Sequence, residues 1–118
     1  MNDIEYILNS LSKSKFRNSF HLNKKMKEYV KEKGEDVIKS HAYDFINVRL
    51  RPAFPKNDGK QTPMKQVHPV FIAQHACACC CRSCLEKWHN ISKGREMTRS
   101  EVDYVVNILI SWIKGEIE

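Results

Sequence analysis

The sequence predicts an all-α fold, a bundle of four to five helices with a long ordered loop at about 51–68. Three observations carry that expectation. Apolar residues recur at helical spacing in several separate stretches. Start and stop residues flank those stretches, and strand-type alternation never persists beyond a few positions.

Residues 22–33 place Leu22, Met26, Tyr29 and Val30 on one helical face, and Gly34 follows where a left-handed stop is expected. Asp36 then suits the start of a second helix, an acid near the positive end of the helix dipole. That helix, about 36–50, puts Val37, Ile38, His41, Ala42, Phe45, Val48 and Arg49 on one broad arc. His41 and Arg49 are therefore expected to point inward, into a structural network or toward a site.

Pro52, Pro55, Asn57-Asp58-Gly59 and Pro63 are too rich in turn residues for a helix, which defines the loop at 51–68. A loop of that length inside a small domain is uncommon and tends to be functional or disordered. Pro69 suits the first turn of a third helix, where its missing N–H costs nothing. Positions 69–81 carry no charge, so this helix is expected to be the central, most buried one. Arg82–His89 is also helix-compatible and should end near Ile91-Ser92-Lys93-Gly94. Thr98-Arg99-Ser100-Glu101 matches a capping box, followed by the stripe Val102, Val105, Val106, Leu109 and Ile113.

The 118 residues suit one domain spanning 1–118, with 1–20 expected to be a loosely packed N-terminal segment. An apolar fraction of 42% against a charged fraction of 29% excludes a disordered chain. No apolar run approaches the ~20 residues of a membrane span, so no membrane partner is expected. The start, Met1-Asn2-Asp3-Ile4-Glu5, is acidic where a signal peptide would be basic, and a cytoplasmic location follows as an expectation. The net charge of +6 is concentrated: residues 1–34 hold eight Lys/Arg against four acids, whereas residues 82–118 balance at six against six. Such a basic half could steer an anionic ligand or a nucleic acid, or simply keep the chain soluble.

All five cysteines fall between positions 77 and 84, with His68 and His75 before them and His89 after. Disulfide frameworks disperse their cysteines, so this concentration points to metal binding, redox chemistry or packing of small apolar side chains. On one continuous helix, Val70, Ala73, Cys77, Cys80, Cys81, Cys84 and Trp88 would form a core stripe with no chemistry. Two helical turns span about 11 Å, while zinc holds sulfur at about 2.3 Å, so an unbroken helix cannot bring all those thiols to one ion. A break near Cys81 would let Cys81-x-x-Cys84 and His89 converge, with His75 or Cys80 as a fourth ligand. Mixed thiolate and imidazole ligands favour Zn2+, with Cu+ a lesser alternative.

Several of these runs resemble a small bacterial family catalogued only as a domain of unknown function, number 4186. The resemblance lies in His41-Ala42-x-Asp44-Phe45-Ile46, in Arg49-Leu50-x-Pro52-Ala53 and in Asn57 through Met64. It continues through His68 to Ala76 and Cys80-Cys81-Arg82-x-Cys84-Leu85-x-Lys87-Trp88-His89, covering about residues 20–115. The family pattern has small hydroxyl residues where this chain has Cys77 and Cys79, which implies packing roles for those two. The loop before His68 also departs from it at Val67. The resemblance names no reaction; it implies that Cys80, Cys81, Cys84, His75 and His89 are the informative cluster.

Two function classes remain open at this level. One is a zinc protein and metal-dependent enzyme, with metal ligands among Cys80, Cys81, Cys84, His75 and His89. In it Asp58 or Asp44 would be a general base, and His41, Arg49 and His68 would complete a polar catalytic set. The other is a nucleic-acid-binding or other interaction module in which the cysteines are structural.

Overall fold

The computed structural model describes residues 2–118, and among them all regular structure is helical. Six α-helices follow in chain order: α1 (Ile4–Ser12), α2 (Lys24–Lys33), α3 (Glu35–Arg49), α4 (Pro69–Ala76), α5 (Arg82–His89) and α6 (Arg99–Ile117). A single 3-10 turn, Arg17–Ser19, lies between α1 and α2.

The helix starts are chemically explicit. Asp3 caps α1 by accepting from the Tyr6 N–H at 3.1 Å, and Asn23 caps α2 by accepting from Met26 at 2.9 Å. Gly34, at φ +87°, ends α2 and opens α3 with no intervening residue. Thr98 and Glu101 form the full capping box of α6, each side chain accepting from the other's backbone N–H.

α6 is the central beam. Its Val102, Val105, Val106, Ile108, Leu109 and Ile113 are buried against Ile38, Ala42 and Ile46 of α3 and Val70, Ile72 and Ala73 of α4. Every residue of α4 is buried, as its uncharged sequence requires. Burial of this kind makes truncating a core leucine or isoleucine to alanine cost about 2–5 kcal/mol.

Three details differ from the sequence expectation. Where 1–20 was expected to pack loosely, α1 buries Ile7 and Leu11, both 3% exposed, against α6. This adds the sixth helix. The buried face of α3 is Ile38, Ala42 and Ile46, while Val37 and Val48 face solvent, Val48 at 75% exposure. Finally, the third helix stops at Ala76 instead of running to Cys81. The loop at 51–68 is ordered as expected, with Gln61 and Thr62 buried and a turn at Asn57–Lys60 closed by a 2.8 Å backbone bond.

Candidate metal centre

The early end of α4 creates the site. Cys77 still donates its N–H to Ala73 O, but Ala78 adopts φ +57°, the left-handed conformation that closes a helix. Cys79 N–H then reaches back to Gln74 O at 2.7 Å. The chain leaves extended through Cys81, at φ −157° and ψ 167°, and α5 begins at the next residue. This reversal folds the cysteine run onto the first turn of α5.

Three sulfurs meet there. Cys81 Sγ lies 3.2 Å from Cys84 Sγ, Cys80 Sγ lies 3.6 Å from Cys84 Sγ, and all three fall within 4.8 Å of one another. Cys81 is the N-cap of α5, and its sulfur accepts the Cys84 N–H at 3.4 Å. Cys80 is fixed through its carbonyl, which accepts from Thr62 Oγ1 at 2.9 Å. The trio is partly exposed. No other group of three histidine, cysteine or carboxylate side chains among the described residues converges in this way.

Arg17 closes the inner side. Its guanidinium donates to His75 O at 2.8 Å, to Cys84 Sγ at 3.2 Å and to Cys80 Sγ at 3.6 Å, with the Phe16 ring 5.0 Å from its carbon. None of the ion pairs among the described residues involves it. Burial disfavours its charge, but the sulfurs of Cys80 and Cys84 outweigh that and hold its pKa above the ordinary arginine value. The thiols crowd one another. The pKa of Cys80 is raised chiefly by its hydrogen bond with Cys81; that of Cys81 is raised because Cys84 and burial outweigh a lowering contact with Cys80.

The other two cysteines and both nearby imidazoles are engaged elsewhere. Burial pushes the Cys77 and Cys79 thiols far up, and they pack in the core. His89 is buried behind them: its Nε2–H donates to Cys77 O at 2.8 Å and its Nδ1 accepts from Tyr104 OH at 2.8 Å. Both ring nitrogens are therefore used, and His89 does not join the sulfur trio. His75 donates from Nε2 to Thr62 O at 3.0 Å and stacks on Phe20, so it meets the site through its backbone carbonyl and not its ring. Of the five expected metal ligands, the fold brings Cys80, Cys81 and Cys84 together and leaves His75 and His89 outside.

The polar residues expected to do catalysis divide between two places. Asp58 accepts from the Arg82 N–H at 3.3 Å, one residue from Cys81, and from Gln61 Nε2 at 3.1 Å. Arg49 joins this chain by donating to Gln61 O at 3.0 Å, while its guanidinium lies over Phe71 and Phe45. His68 instead caps α4, its Nδ1 accepting from Val70 N–H, which places its proton on Nε2 to donate to His41 Nδ1 at 3.1 Å. Tyr29, Phe45 and Phe71 surround that imidazole pair. Asp44 is exposed.

Burial, and secondarily the His41 ring, lowers the His68 pKa to about 4. Its folded value lies below its unfolded one, so between about pH 4 and 6.5 the unfolded chain binds the extra proton. The contribution is complete above about pH 6.5, declines as pH falls through that window, and is gone below about pH 4. We expect roughly 2–3 kcal/mol from this group. Urea unfolding at pH 7.5 and 4.5 checks it: His75 and His89 add to the slope, and His68→Asn should remove only the His68 share. An unchanged slope in that variant would refute the assignment.

The family model described as "Domain of unknown function (DUF4186)" matches residues 5–114. The chain belongs to that family. The match begins inside α1, so the domain includes both Arg17 and the three-thiol group. No solved structure matches the chain. No helix among the described residues is long and apolar enough to cross a membrane.

Arg17 is the site residue that the sequence did not single out. One signal was present: it is the only arginine before position 49, in a stretch whose other basic residues are all lysines. A planar fork of donors suits two sulfurs and a carbonyl at once, which an ammonium does not.

Proposed function

We propose that this DUF4186 domain is a zinc protein, its ion held by Cys80, Cys81 and Cys84 with a fourth position open to water or a small ligand. The carrying observation is a buried arginine directed at clustered sulfurs with no carboxylate to pair with. Three thiolates and a divalent ion sum to one negative charge, which Arg17 neutralises. Tetrahedral zinc with bonds of about 2.3 Å spaces its sulfurs about 3.8 Å apart. The 3.2 and 3.6 Å pairs and the 4.8 Å bound bracket that spacing. Monovalent copper fits less well, because Arg17 would then offset only half of the excess charge.

Three protein ligands with an open position is the pattern of zinc sites that activate water. Asp58, fixed by Arg82 N–H and by Gln61, is the carboxylate available as general base, and Arg49 orients it through Gln61. His41, His68 and Asp44 act outside this centre. Free thiols in this number suit a reducing compartment such as the cytoplasm.

Elemental analysis of the reduced full-length chain should find about one zinc per chain. Cobalt substitution should add thiolate-to-metal absorption, and a chelator should lower the melting temperature. A chain that purifies without metal and takes up neither Zn2+ nor Co2+ would overturn the proposal.

A further inference from the structure

We propose that hydrogen peroxide converts Cys81 and Cys84 into a reversible disulfide, and that this bond expels the ion from the three-sulfur centre. The inference rests on the zinc reading above and adds a chemical control to it.

The sulfurs of Cys81 and Cys84 lie 3.2 Å apart, closer than the 3.6 Å between Cys80 and Cys84. They stand three residues apart across the first turn of α5, a spacing that makes side chains neighbours. Forming the bond requires the sulfurs to close by about 1 Å. Cys80 is the poorer partner: it is 3.6 Å from Cys84, and its carbonyl is tied to Thr62. Exposure restricts the chemistry to this group, since Cys80, Cys81 and Cys84 are partly exposed while Cys77 and Cys79 are buried. Arg17 donates to Cys84 and leaves Cys81 without a guanidinium contact, so the two sulfurs are inequivalent. Cys84 is held in place and Cys81 faces the oxidant.

Peroxide transfers one oxygen to the Cys81 thiolate, its O–O bond breaks, and hydroxide leaves. Cys84 thiolate attacks the resulting sulfenic sulfur; the S–S bond forms, the S–O bond breaks, and a second hydroxide leaves. Both hydroxides take protons from solvent, and two electrons have passed from the two sulfurs to peroxide. Only Cys80 then remains as a ligand, too few to retain zinc.

The test uses the zinc-loaded full chain. Peroxide is added, a chromogenic chelator reads released zinc, and free thiols are alkylated before mass analysis. Trypsin cuts after Arg82, so a bridge from Cys84 to an earlier cysteine appears as two joined peptides, and the variants below say which sulfur took part. Zinc should leave in step with a mass loss of two hydrogens, and a dithiol reductant with added zinc should restore the starting state. Cys80→Ser should still form the bridge and Cys81→Ser should not. Zinc that stays after peroxide, zinc that leaves without a bridge, or a bridge placed at Cys80–Cys84 would each overturn the inference while the zinc reading stands. A chain that takes up no zinc fails at loading, before peroxide is added, and overturns both.

Discussion

Arg82→Met is expected to destabilise the protein by about 3–5 kcal/mol, a large share of the roughly 5–15 kcal/mol that holds a small domain together. Arg82 is 0% exposed and has no carboxylate partner at its guanidinium. Its two terminal nitrogens instead bind backbone carbonyls: Leu50, Arg51 and Pro52 on one side, Ser92 and Arg95 on the other, at 2.7–3.4 Å. The side chain thus ties the exit of α3 to the segment after α5. Methionine would fill the volume and relieve the cost of a buried charge, but it would leave several carbonyls without a donor. Lysine, lacking the fork, should recover only part of the loss. Urea melts of the three proteins decide the matter; a change under about 1 kcal/mol would show that the carbonyls find other donors.

Cys84→Ser should abolish stoichiometric zinc binding, because Cys84 lies 3.2 Å from Cys81, 3.6 Å from Cys80 and 3.2 Å from the Arg17 guanidinium. Arg17→Met should weaken zinc roughly 10- to 100-fold with the cobalt spectrum preserved, the effect expected when an outer hydrogen-bond partner is lost. Cys79→Ala should act oppositely: it opens a small defect in the core and lowers the melting temperature while leaving zinc at one per chain. Competition titration against a chelator of known affinity separates these outcomes. Full zinc retention by Cys84→Ser would show that the sulfurs are merely neighbours.

Much of the fold was readable because its signals are local. Gly34, Pro69 and the Thr98/Glu101 pair each mark a helix boundary through one side chain or one backbone angle. What escaped depends on partners distant in the chain. α1 contributes two buried side chains, Ile7 and Leu11, and their burial requires α6, so a stretch this short does not declare itself. On α3, valines at 37 and 48 and isoleucines at 38 and 46 offer two apolar faces, and only the position of α6 selects between them.

The site was legible in the same uneven way. Crowded thiols were evident, and helical geometry alone required a break before they could converge on one point. A break near Cys81 was expected, but its start at Ala78 was not evident, because glycine or asparagine would have announced a left-handed residue. The imidazoles misled for a related reason. His75 and His89 flank the cysteines in sequence, yet Thr62 takes Nε2 of His75, and Cys77 and Tyr104 take both nitrogens of His89.

Because Arg17 reaches the sulfurs from the turn just after α1, that helix and turn act as a clasp on the centre. Thermodynamic reciprocity then runs both ways: an occupied centre tightens the clasp, and anything that pries α1 from α6 loosens what the sulfurs hold.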